Sequence, residues 1–302
     1  MQVRVLLEAE VRELIGPAAA HAAVRDAFIA LARGQATLPG VIGFDVPAHQ
    51  GEVHVKGAYL HGRPFYSIKE AAGFYGNAEK GLPVGSGLVL VFDATTGFLA
   101  AVLFDNGYLT ELRTGAAGAL AADLLARRRV GKAAVIGAGS QARFQLEALA
   151  LVRRPESVAV FSRTPARSAA CAREMERRIG VPIDVAGSAQ AAVEGADVVI
   201  TATPSRAPIV LADWLGPGTH VTAVGADGPE KRELEPAVLA RADKVVVDRL
   251  DQCLRFGELH HAVEAGVLAA GDVWAELGEL AAGIKPGRQS DDEITVADLT
   301  GV

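Results

Sequence analysis

A glycine-rich loop carries the clearest chemical signal in the sequence. Gly137-Ala138-Gly139-Ser140-Gln141-Ala142 follows an apolar run, 133–136, and precedes a segment with helical spacing, 143–152. In a G-x-G-x-x-A loop between a strand and a helix, the first glycine allows a tight turn and the second lets the backbone approach a pyrophosphate. The alanine keeps helix and strand close, while amides at the start of the helix face the phosphates. The loop predicts a dinucleotide site.

The residues after the next apolar run indicate which dinucleotide to expect. An NAD site usually has an acidic residue there, which accepts hydrogen bonds from the ribose hydroxyls. This chain instead has Ser162-Arg163-Thr164, followed closely by Arg167. A carboxylate would repel a 2′-phosphate, whereas an arginine can bind it through charge-assisted hydrogen bonds. These residues predict NADP; the alternative interpretation of Arg163 is a surface side chain that stacks on adenine.

The elements around the loop are short apolar runs that alternate with helical segments. Strands are predicted at 133–136, 157–161, 197–200, 220–224 and 244–248. Such runs, separated by helices, indicate a parallel sheet covered on both faces. An Ala/Leu-rich helix over 116–129 leads into them, and its basic end, 127–129, is expected near the negative end of the helix dipole. We therefore predict a Rossmann NADP-binding domain over 116–274.

The first third of the chain has a different pattern. Apolar positions at helical spacing predict one helix over 12–33, and segments 53–56 and 66–69 alternate with the period of strands. Two further runs, 88–92 and 99–103, flank a turn and predict a hairpin. We expect a mixed α+β substrate-binding and dimerisation domain over 1–115 plus 275–302, and therefore an α/β protein of two domains.

Composition excludes several classes of protein. The 302 residues are 50% hydrophobic and 22% charged, with 36 acidic against 30 basic side chains and a net charge of -6. Nucleic acid and anionic membranes need a basic surface, so neither is expected as a partner. Glu8 and Glu10 interrupt the start of the chain before any apolar segment, so we expect no secretory signal and a cytoplasmic protein. Cys171 and Cys253 are too few for a disulfide framework.

No metal site is expected from the sequence. His260 and His261 are adjacent, and on a helix adjacent side chains point about 100° apart, so the pair is not predicted to share a metal ion. No spaced set of His, Cys and carboxylates matches a zinc site. Residues 291–293, Asp-Asp-Glu, are expected to form a solvated turn.

Six segments in order resemble the ornithine cyclodeaminase/mu-crystallin family. They are Ser67–Glu70, Gly81–Pro83, Leu109–Ala117, Gly137–Ala142, Ala223–Asp227 and Gly287–Ser290. The resemblance covers nearly the whole chain. It implies a substrate-binding and dimerisation domain joined to a Rossmann domain, with the active site in a cleft. Members of the family include ornithine and lysine cyclodeaminases, alanine dehydrogenases, and ketimine or pyrroline-carboxylate reductases.

The resemblance also implies roles for single residues. Lys69 matches the family's substrate-contacting catalytic lysine, and Asp227 matches its catalytic aspartate. Arg113 and Thr114 match a pair near the cofactor phosphates and the substrate carboxylate. Further cofactor contacts are implied for Thr203, Val224, Gly225, Lys231 and Ser290.

These residue types suit the chemistry of amino and imino acids. Lys69 and Arg113 can hold a substrate carboxylate. Hydride transfer to an imine carbon needs a positively charged nitrogen, which Asp227 could stabilise while it exchanges a proton with the amine. From residue type alone, Lys69 could equally be a solvated strand lysine and Asp227 a helix N-cap.

One departure from the family concerns the substrate carboxylate. Several members place an arginine before the catalytic lysine, whereas residues 40–50 of this chain contain none. Lys56 could take its place, because it alternates with Val53 and Val55 and so faces away from their side of the strand.

The sequence thus predicts an NADP-dependent oxidoreductase that acts on the C–N bond of a small amino or imino acid, assembled as a homodimer through residues 1–115. The first alternative is a cyclodeaminase, which would oxidise ornithine, close the ring with loss of ammonia and return the hydride. The second is a non-catalytic nucleotide-binding protein like mu-crystallin, for which loss of the Lys69/Asp227 pair would be the mark. Both residues are present.

Overall fold

The computed structural model describes residues 2–302. The chain forms two compact units, Met1–Arg113 and Thr114–Val302. An α-helix, Tyr108–Leu125, runs across the division. It starts eight residues before the predicted helix 116–129 and ends before the basic residues 127–129. Arg127 instead forms an ion pair with Asp197 at 2.9 Å, and Arg129 with Glu156 at 2.7 Å.

The first unit contains a mixed sheet and two α-helices of 7 and 16 residues. Its strands are β1 (Arg4–Leu7), β2 (Ala36–Thr37), β3 (Ile42–Val46), β4 (Gly51–Leu60), β5 (Phe65–Phe74), β6 (Gly85–Asp93) and β7 (Leu99–Phe104). The sheet order is β1-β7-β6-β5-β4-β2, with β3 also paired to β4; β1 is parallel to β7 and all other pairs are antiparallel. The predicted mixed sheet and hairpin are confirmed.

The predicted single helix over 12–33 is wrong. The structure has α1 (Glu8–Leu14) and α2 (Pro17–Ala32) instead. Pro17 is the first residue of α2, where its missing N–H is not needed, but it disfavours helical geometry in the preceding residue, Gly16. The apolar pattern continues across this break, so periodicity alone does not reveal it. With the helix across the division numbered α3 (Tyr108–Leu125), the remaining helices belong to the second unit.

The second unit is a parallel sheet of eight strands. They are β8 (Lys132–Ile136), β9 (Ser157–Phe161), β10 (Ile183–Val185), β11 (Val198–Thr201), β12 (His220–Ala223), β13 (Lys244–Val247), β14 (Ala275–Glu276) and β15 (Thr295–Asp298). Its helices are α4 (Ser140–Val152), α5 (Pro165–Ile179), α6 (Ala189–Val193), α7 (Pro236–Arg241), α8 (Leu250–Cys253), α9 (Glu258–Glu264) and α10 (Leu277–Ala281). The order is β10-β9-β8-β11-β12-β15-β13-β14. This doubly wound arrangement confirms the predicted Rossmann domain.

Residues 275–302 belong to this second sheet, so their expected place in the first domain is corrected. β15 pairs with both β12 and β13, and β14 pairs with β13. Each of these pairings is parallel, and its main-chain hydrogen bonds join strands of the second unit. The short β14 and the Thr- and Asp-containing β15 lack the apolar run by which β8, β9, β11, β12 and β13 were predicted; β10 (Ile183–Val185) was also missed.

Alternation along the central strand β8 divides the core of the second unit into two clusters. Ala133 and Val135 pack into one cluster, and Ala134 and Ile136 into the other. Because successive side chains of a strand point to opposite faces, both faces of the sheet are covered.

Among residues 2–302 no single helix is long and apolar enough to cross a membrane. Within these residues, α1 and α2 are long and apolar enough only when they are counted as one segment, and this segment bends by 78° between the two helices.

Candidate functional site

Three cationic side chains lie together in the first unit. Lys69 on β5 pairs directly with Lys56 on β4, so their side chains share one face of the sheet. Lys69 Nζ donates a hydrogen bond of 3.1 Å to the Thr110 hydroxyl on α3. Arg113 follows three residues after Thr110, which puts it on the same side of that helix. The structure thus brings together all three residues expected to hold a carboxylate.

The electrostatics of this cluster favour an anion. Burial and then the positive charges of Arg113 and Lys56 lower the pKa of Lys69 to about 6, against the opposite effects of Asp105 and Glu111. At neutral pH the free protein therefore holds Lys69 largely uncharged. A bound carboxylate would offset the repulsion and raise that pKa, so the cluster can take up a proton together with the anion.

The glycine-rich loop has the geometry of a phosphate-binding turn. Gly137 has φ +125°, and a Cβ there would lie 2.5 Å from the Ala202 carbonyl oxygen, so only glycine fits. A Cβ on Gly139 would meet nothing within 4 Å, which leaves the backbone open to an approaching group. Ala142 is fully buried. Gly139 caps α4 without a side-chain hydrogen bond, so amides at the start of this 13-residue helix are available to an anion.

Side chains of α4 hold this loop in place. Arg143 donates to the carbonyl oxygens of Ala138 and Gly139 at 2.8 and 2.9 Å, and its Nε forms an ion pair with Glu174 at 2.7 Å. Its guanidinium therefore satisfies the carbonyl groups of the turn while the amides face the other way. Ser140 remains exposed at the loop.

The middle of α3 packs against the same helix, α4. Gln145 is buried, and its amide donates to the Thr114 carbonyl oxygen at 2.9 Å and to Gln141 Oε1 at 3.3 Å. A Cβ on Gly115 would lie 2.8 Å from the Phe144 carbonyl oxygen, so the absence of a side chain allows this close packing. Thr114 is thus connected to the Gly137–Ala142 loop by its hydrogen bond with Gln145, which lies on the helix that begins in this loop.

The predicted NADP determinants lie directly after β9. The Ser162 hydroxyl is engaged within its own turn, with the Thr164 carbonyl at 3.0 Å and the Ser168 hydroxyl at 2.8 Å. Thr164 is the N-cap of α5, while Arg163 and Arg167 are exposed. Both arginines are thus accessible to a ligand, whereas Ser162 mainly shapes the turn.

The residues expected at the nicotinamide end follow β11 and β12. Backbone hydrogen bonds continue past the strands, with Ala202 donating to Ile136 at 2.9 Å and Val224 to Thr201 at 3.0 Å. A Cβ on Gly225 would press on the Thr203 carbonyl oxygen. Gly137, Thr203, Val224 and Gly225 therefore share the carboxyl edge of the sheet, where the strand order reverses between β8 and β11. Ligands of open α/β sheets bind at such a point.

Asp227, the expected catalytic aspartate, follows Gly225 closely in sequence. It forms an ion pair of 2.7 Å with Lys231. The Asp227 side chain is 45% exposed, whereas that of Lys231 is 12% exposed. The lysine predicted to contact the cofactor is therefore also the direct partner of the predicted catalytic carboxylate.

Ser290 is not brought to the other expected cofactor residues. It is exposed in a segment attached to the amino-terminal ends of β12 and β15: Gly218 donates to the Asp292 carbonyl oxygen at 2.8 Å, and Arg288 to Thr295 Oγ1 at 3.2 Å. The Gly137 loop lies at the opposite, carboxyl edge of the sheet. The implied cofactor contact at Ser290 is therefore inconsistent with the structure of this unit.

Two features of the carboxyl edge had no signal in the sequence. Leu299 donates to the Ala223 carbonyl oxygen at 3.0 Å, which places the segment after β15 beside Val224. Glu233 is completely buried and contacts Thr203 and Gly225. Burial of a charged residue within a polar-looking segment, 229–235, cannot be seen from residue types alone.

His260 and His261 both lie near the Glu264 carboxylate. The sequence predicts that these adjacent side chains point about 100° apart. Possible ligand atoms of His260, His261 and Glu264 all lie within 4.8 Å of one another. The rings also donate to the carbonyl oxygens of Leu254 and Lys231, at 3.2 and 3.0 Å. His260 Nε2 lies 3.5 Å from Glu264 Oε1, and His261 Nδ1 lies 4.0 Å from Glu264 Oε2. Both cysteines are free and buried.

Comparisons with known proteins agree with this fold and loop. The family model "Ornithine cyclodeaminase/mu-crystallin family" matches residues 1–302. The structure of Δ(1)-pyrroline-2-carboxylate reductase from Thermococcus litoralis, in complex with NADH and L-proline, is 33% identical with a TM-score of 0.95, over 99% of this chain and 92% of that one. An archaeal alanine dehydrogenase dimer with bound NAD is 39% identical with a TM-score of 0.92, over 100% and 92%. The iminosuccinate reductase of Paracoccus denitrificans, in complex with NAD+, is 32% identical with a TM-score of 0.90, over 100% and 92%.

The Rossmann sheet, its phosphate-binding turn and these relatives define an enzyme that uses a nicotinamide dinucleotide, an NAD(P)-dependent oxidoreductase. The chain belongs to the ornithine cyclodeaminase/mu-crystallin family, which confirms the resemblance found in the sequence.

Proposed function

We propose that the protein catalyses reversible reduction of the C=N bond of a small α-imino acid to the corresponding amino acid. The observation that carries this proposal is the cluster of Lys56, Lys69 and Arg113. Burial, and then the positive charges of Arg113 and Lys56, lower the pKa of Lys69, and a bound carboxylate would offset this unfavourable arrangement. The compared structures point the same way, since their names specify reductases of imino acids and a dehydrogenase of alanine.

Each residue has a defined part in this reaction. Lys69 and Arg113 hold the substrate carboxylate, with Lys56 adding positive potential, and Lys69 takes up a proton as the anion binds. Asp227 stabilises the positive charge of the protonated imine nitrogen and exchanges a proton with the product amine. Lys231, 2.7 Å from Asp227, keeps this carboxylate oriented when no substrate cation is present.

Bound at the carboxyl edge of the second sheet, the nicotinamide dinucleotide supplies the hydride for reduction and accepts it for oxidation. In the reductive direction a protonated imine gains one hydride at carbon and becomes the neutral amine. The Gly137–Ala142 loop binds the pyrophosphate through its amides. Thr203, Val224 and Gly225 line the nicotinamide end, and Arg113 and Thr114 contribute near the phosphates.

We propose that NADP is the preferred dinucleotide. No acidic side chain is present at 162–164, and Arg163 and Arg167 are both exposed where a 2′-phosphate would lie. Arginine binds phosphate in a bidentate manner, whereas it offers no acceptor to the ribose hydroxyls that NAD presents. The bound forms in the compared structures are NADH, NAD and NAD+, so this preference would distinguish the chain from those relatives.

We further propose a homodimer built through residues 1–115. The first unit exposes large apolar side chains, among them Ile42 at 65% and Phe44 at 56%. Exposed apolar patches of this kind mark association surfaces. Light scattering at micromolar concentration should give twice the mass of the chain, and a monomer would refute the proposal.

The decisive experiment is a substrate panel. Cyclic imines, keto acids with ammonia, and ornithine are each offered with NADPH or NADH, while absorbance of the reduced nicotinamide and release of ammonia are followed. Oxidation of NADPH by an imino acid is the expected result. Ammonia release from ornithine without net change in the cofactor would instead assign the cyclodeaminase reaction. Cofactor binding without turnover on any compound would leave a non-catalytic nucleotide-binding protein.

A further inference from the structure

Glu233 occupies a central position between the ends of β11 and β12. Its Oε1 accepts hydrogen bonds from the Thr203 N–H at 2.6 Å and the Thr203 hydroxyl at 2.7 Å. Its Oε2 accepts from the Thr201 hydroxyl at 2.7 Å and the Gly225 N–H at 2.9 Å. One completely buried carboxylate therefore joins the two segments that follow these strands.

A second buried carboxylate holds Glu233 itself. Glu258, at the start of α9, accepts from the Glu233 N–H at 2.7 Å and the Leu234 N–H at 3.0 Å. A third, Asp298 at the end of β15, accepts from the Leu259 N–H at 2.9 Å. Asp298 thus holds the backbone of α9, and Glu258 on α9 holds the backbone of Glu233 and Leu234. Glu233 in turn holds the backbone of Thr203 and Gly225.

These contacts lie in the half of the sheet that binds one half of a dinucleotide. In doubly wound folds, the pyrophosphate lies at the first glycine-rich turn and the two nucleotide halves lie over the two halves of the sheet. The Gly137 turn and the residues after β9 form the adenosine half. Thr203 and Gly225, after β11 and β12, belong to the other half, and Gly225 lies two residues before Asp227.

We propose that Glu233 is a positioning residue for the nicotinamide end of the cofactor site, because it fixes the backbone of Thr203 and Gly225 in one arrangement. The proposal rests on the nicotinamide-dependent function proposed above. It assigns Glu233 no contact with substrate or cofactor. Its effect is transmitted by four hydrogen bonds to the segments that line the site.

Only a carboxylate of this length satisfies the four donors. In Glu233→Gln, one oxygen becomes an NH2 group and faces either the Thr203 N–H or the Gly225 N–H. A backbone N–H cannot rotate away, so two donors would be opposed and one would stay unsatisfied in a buried place. Burial raises the pKa of Glu233 to about 7, while the four donors act to lower it.

The test compares ligands that do and do not contain nicotinamide. Dissociation constants of NADPH and of ADP-ribose, which lacks the ring, are measured by calorimetry on the full-length protein and on Glu233→Gln. NADPH should bind about tenfold or more weakly to the variant, the effect of one unsatisfied buried donor. ADP-ribose should bind within about twofold of the unchanged protein. Equal loss for both ligands, or no loss for NADPH, would overturn the proposal.

Glu235→Gln is the matched control. Glu235 lies two residues further along and accepts from the Ala212 N–H at 2.9 Å, away from Thr203 and Gly225. Both ligands should bind it as they bind the unchanged protein. If Glu233→Gln does not fold, Thr201→Val removes one buried donor and leaves the carboxylate. It should show a smaller loss of the same selective kind, and a non-selective loss or none would refute the proposal.

The outcome separates this proposal from the proposed function. Binding needs no substrate, so selective loss of NADPH affinity supports the positioning role even if no imino acid is reduced. Conversely, an unchanged protein that reduces an imino acid, together with a Glu233→Gln variant that binds NADPH normally, refutes only the positioning role.

Discussion

The two units differ in how completely they bury their own sheets. In the second unit, every residue of β11, β12, β13 and β15 is buried. In the first unit, Gly51 is the only buried residue of β4, and β5 and β6 have none. Helices from successive βαβ connections cover a parallel sheet on both faces, whereas hairpins supply no cover. A unit whose central strands are fully covered by its own helices thus follows, in sequence, a unit whose sheet is only partly covered.

In the proposed function, the second unit binds the cofactor and the first unit binds the substrate carboxylate. Changes at the site should therefore divide into those that affect cofactor affinity, those that affect substrate affinity, and those that affect only turnover.

The largest effect is expected for Asp227→Asn, which keeps the shape and removes the charge. Turnover on a confirmed substrate should fall by roughly 10² to 10⁴, the usual contribution of a positioned acid–base group. NADPH affinity should change little, because the phosphate contacts lie at the Gly137 loop. Steady-state kinetics and calorimetry measure both quantities. Near-normal turnover would show that the proton travels by another route.

Gly137→Ala should damage the cofactor site directly. An alanine Cβ would lie 2.5 Å from the Ala202 carbonyl oxygen at φ +125°. The variant should lose roughly 1–3 kcal/mol of stability from backbone strain and about 100-fold or more in dinucleotide affinity. The control is Gly139→Ala, whose Cβ meets nothing within 4 Å. It should unfold at the normal temperature yet bind dinucleotide more weakly, since the methyl group occupies space needed by the phosphates. Equal melting temperatures for both variants would contradict this assignment.

Substrate affinity should depend on pH through Lys69. Below its pKa of about 6 in the free protein, Lys69 is already charged and a carboxylate binds without proton uptake. Above that pH, binding must add a proton, so affinity falls by up to about tenfold per pH unit until the higher pKa of the complex is reached. Calorimetric titration with a confirmed amino-acid product in two buffers of different ionisation enthalpy measures this uptake. Lys69→Met should bind weakly and without this dependence.

Lys56→Met provides the matched comparison in the same cluster. Removal of its charge lessens the repulsion that lowers the pKa of Lys69, so the decline in affinity should begin at a higher pH. A decline that starts at the same pH in this variant would mean that Lys56 does not act on Lys69.

The smallest effect is expected at Arg163. NADPH should bind about tenfold more tightly than NADH, which corresponds to roughly 1.4 kcal/mol from the phosphate contact. Arg163→Ala should remove most of this preference and leave NADH affinity unchanged. Equal affinities for the two dinucleotides in the unchanged protein would show that Arg163 does not bind the 2′-phosphate.

The sequence was informative wherever a local pattern had a single physical cause. β8, β9 and β11 to β13 are buried on both faces, so each is a short apolar run. The break at Gly16 and Pro17 was missed because apolar spacing continues through it. β15 was missed because Thr295 and Asp298 look polar, although both are buried and hydrogen-bonded.

The candidate site divides in the same way. The glycine loop could be predicted from spacing because its backbone geometry demands glycine at one position. The proximity of Lys56 to Lys69 followed from β4–β5 register, which alternation only partly specifies. Glu233 depends on donors that lie 30 and 32 positions away, at Thr203 and Thr201, and on the Gly225 N–H across a turn. No local pattern encodes such long-range partners.

The position of β15 has a consequence for how the protein is made. β15 lies between β12 and β13, yet its residues are synthesised some 50 to 75 positions after theirs. On the ribosome, β8 to β12 can assemble while one edge of β12 stays open, and β13 has no neighbour on that side until residues 295–298 emerge. Such long-range parallel pairing is slow and leaves unpaired strand edges in the meantime. The nascent chain is therefore most vulnerable to aggregation, and most in need of chaperones, in the interval before residues 295–298 emerge.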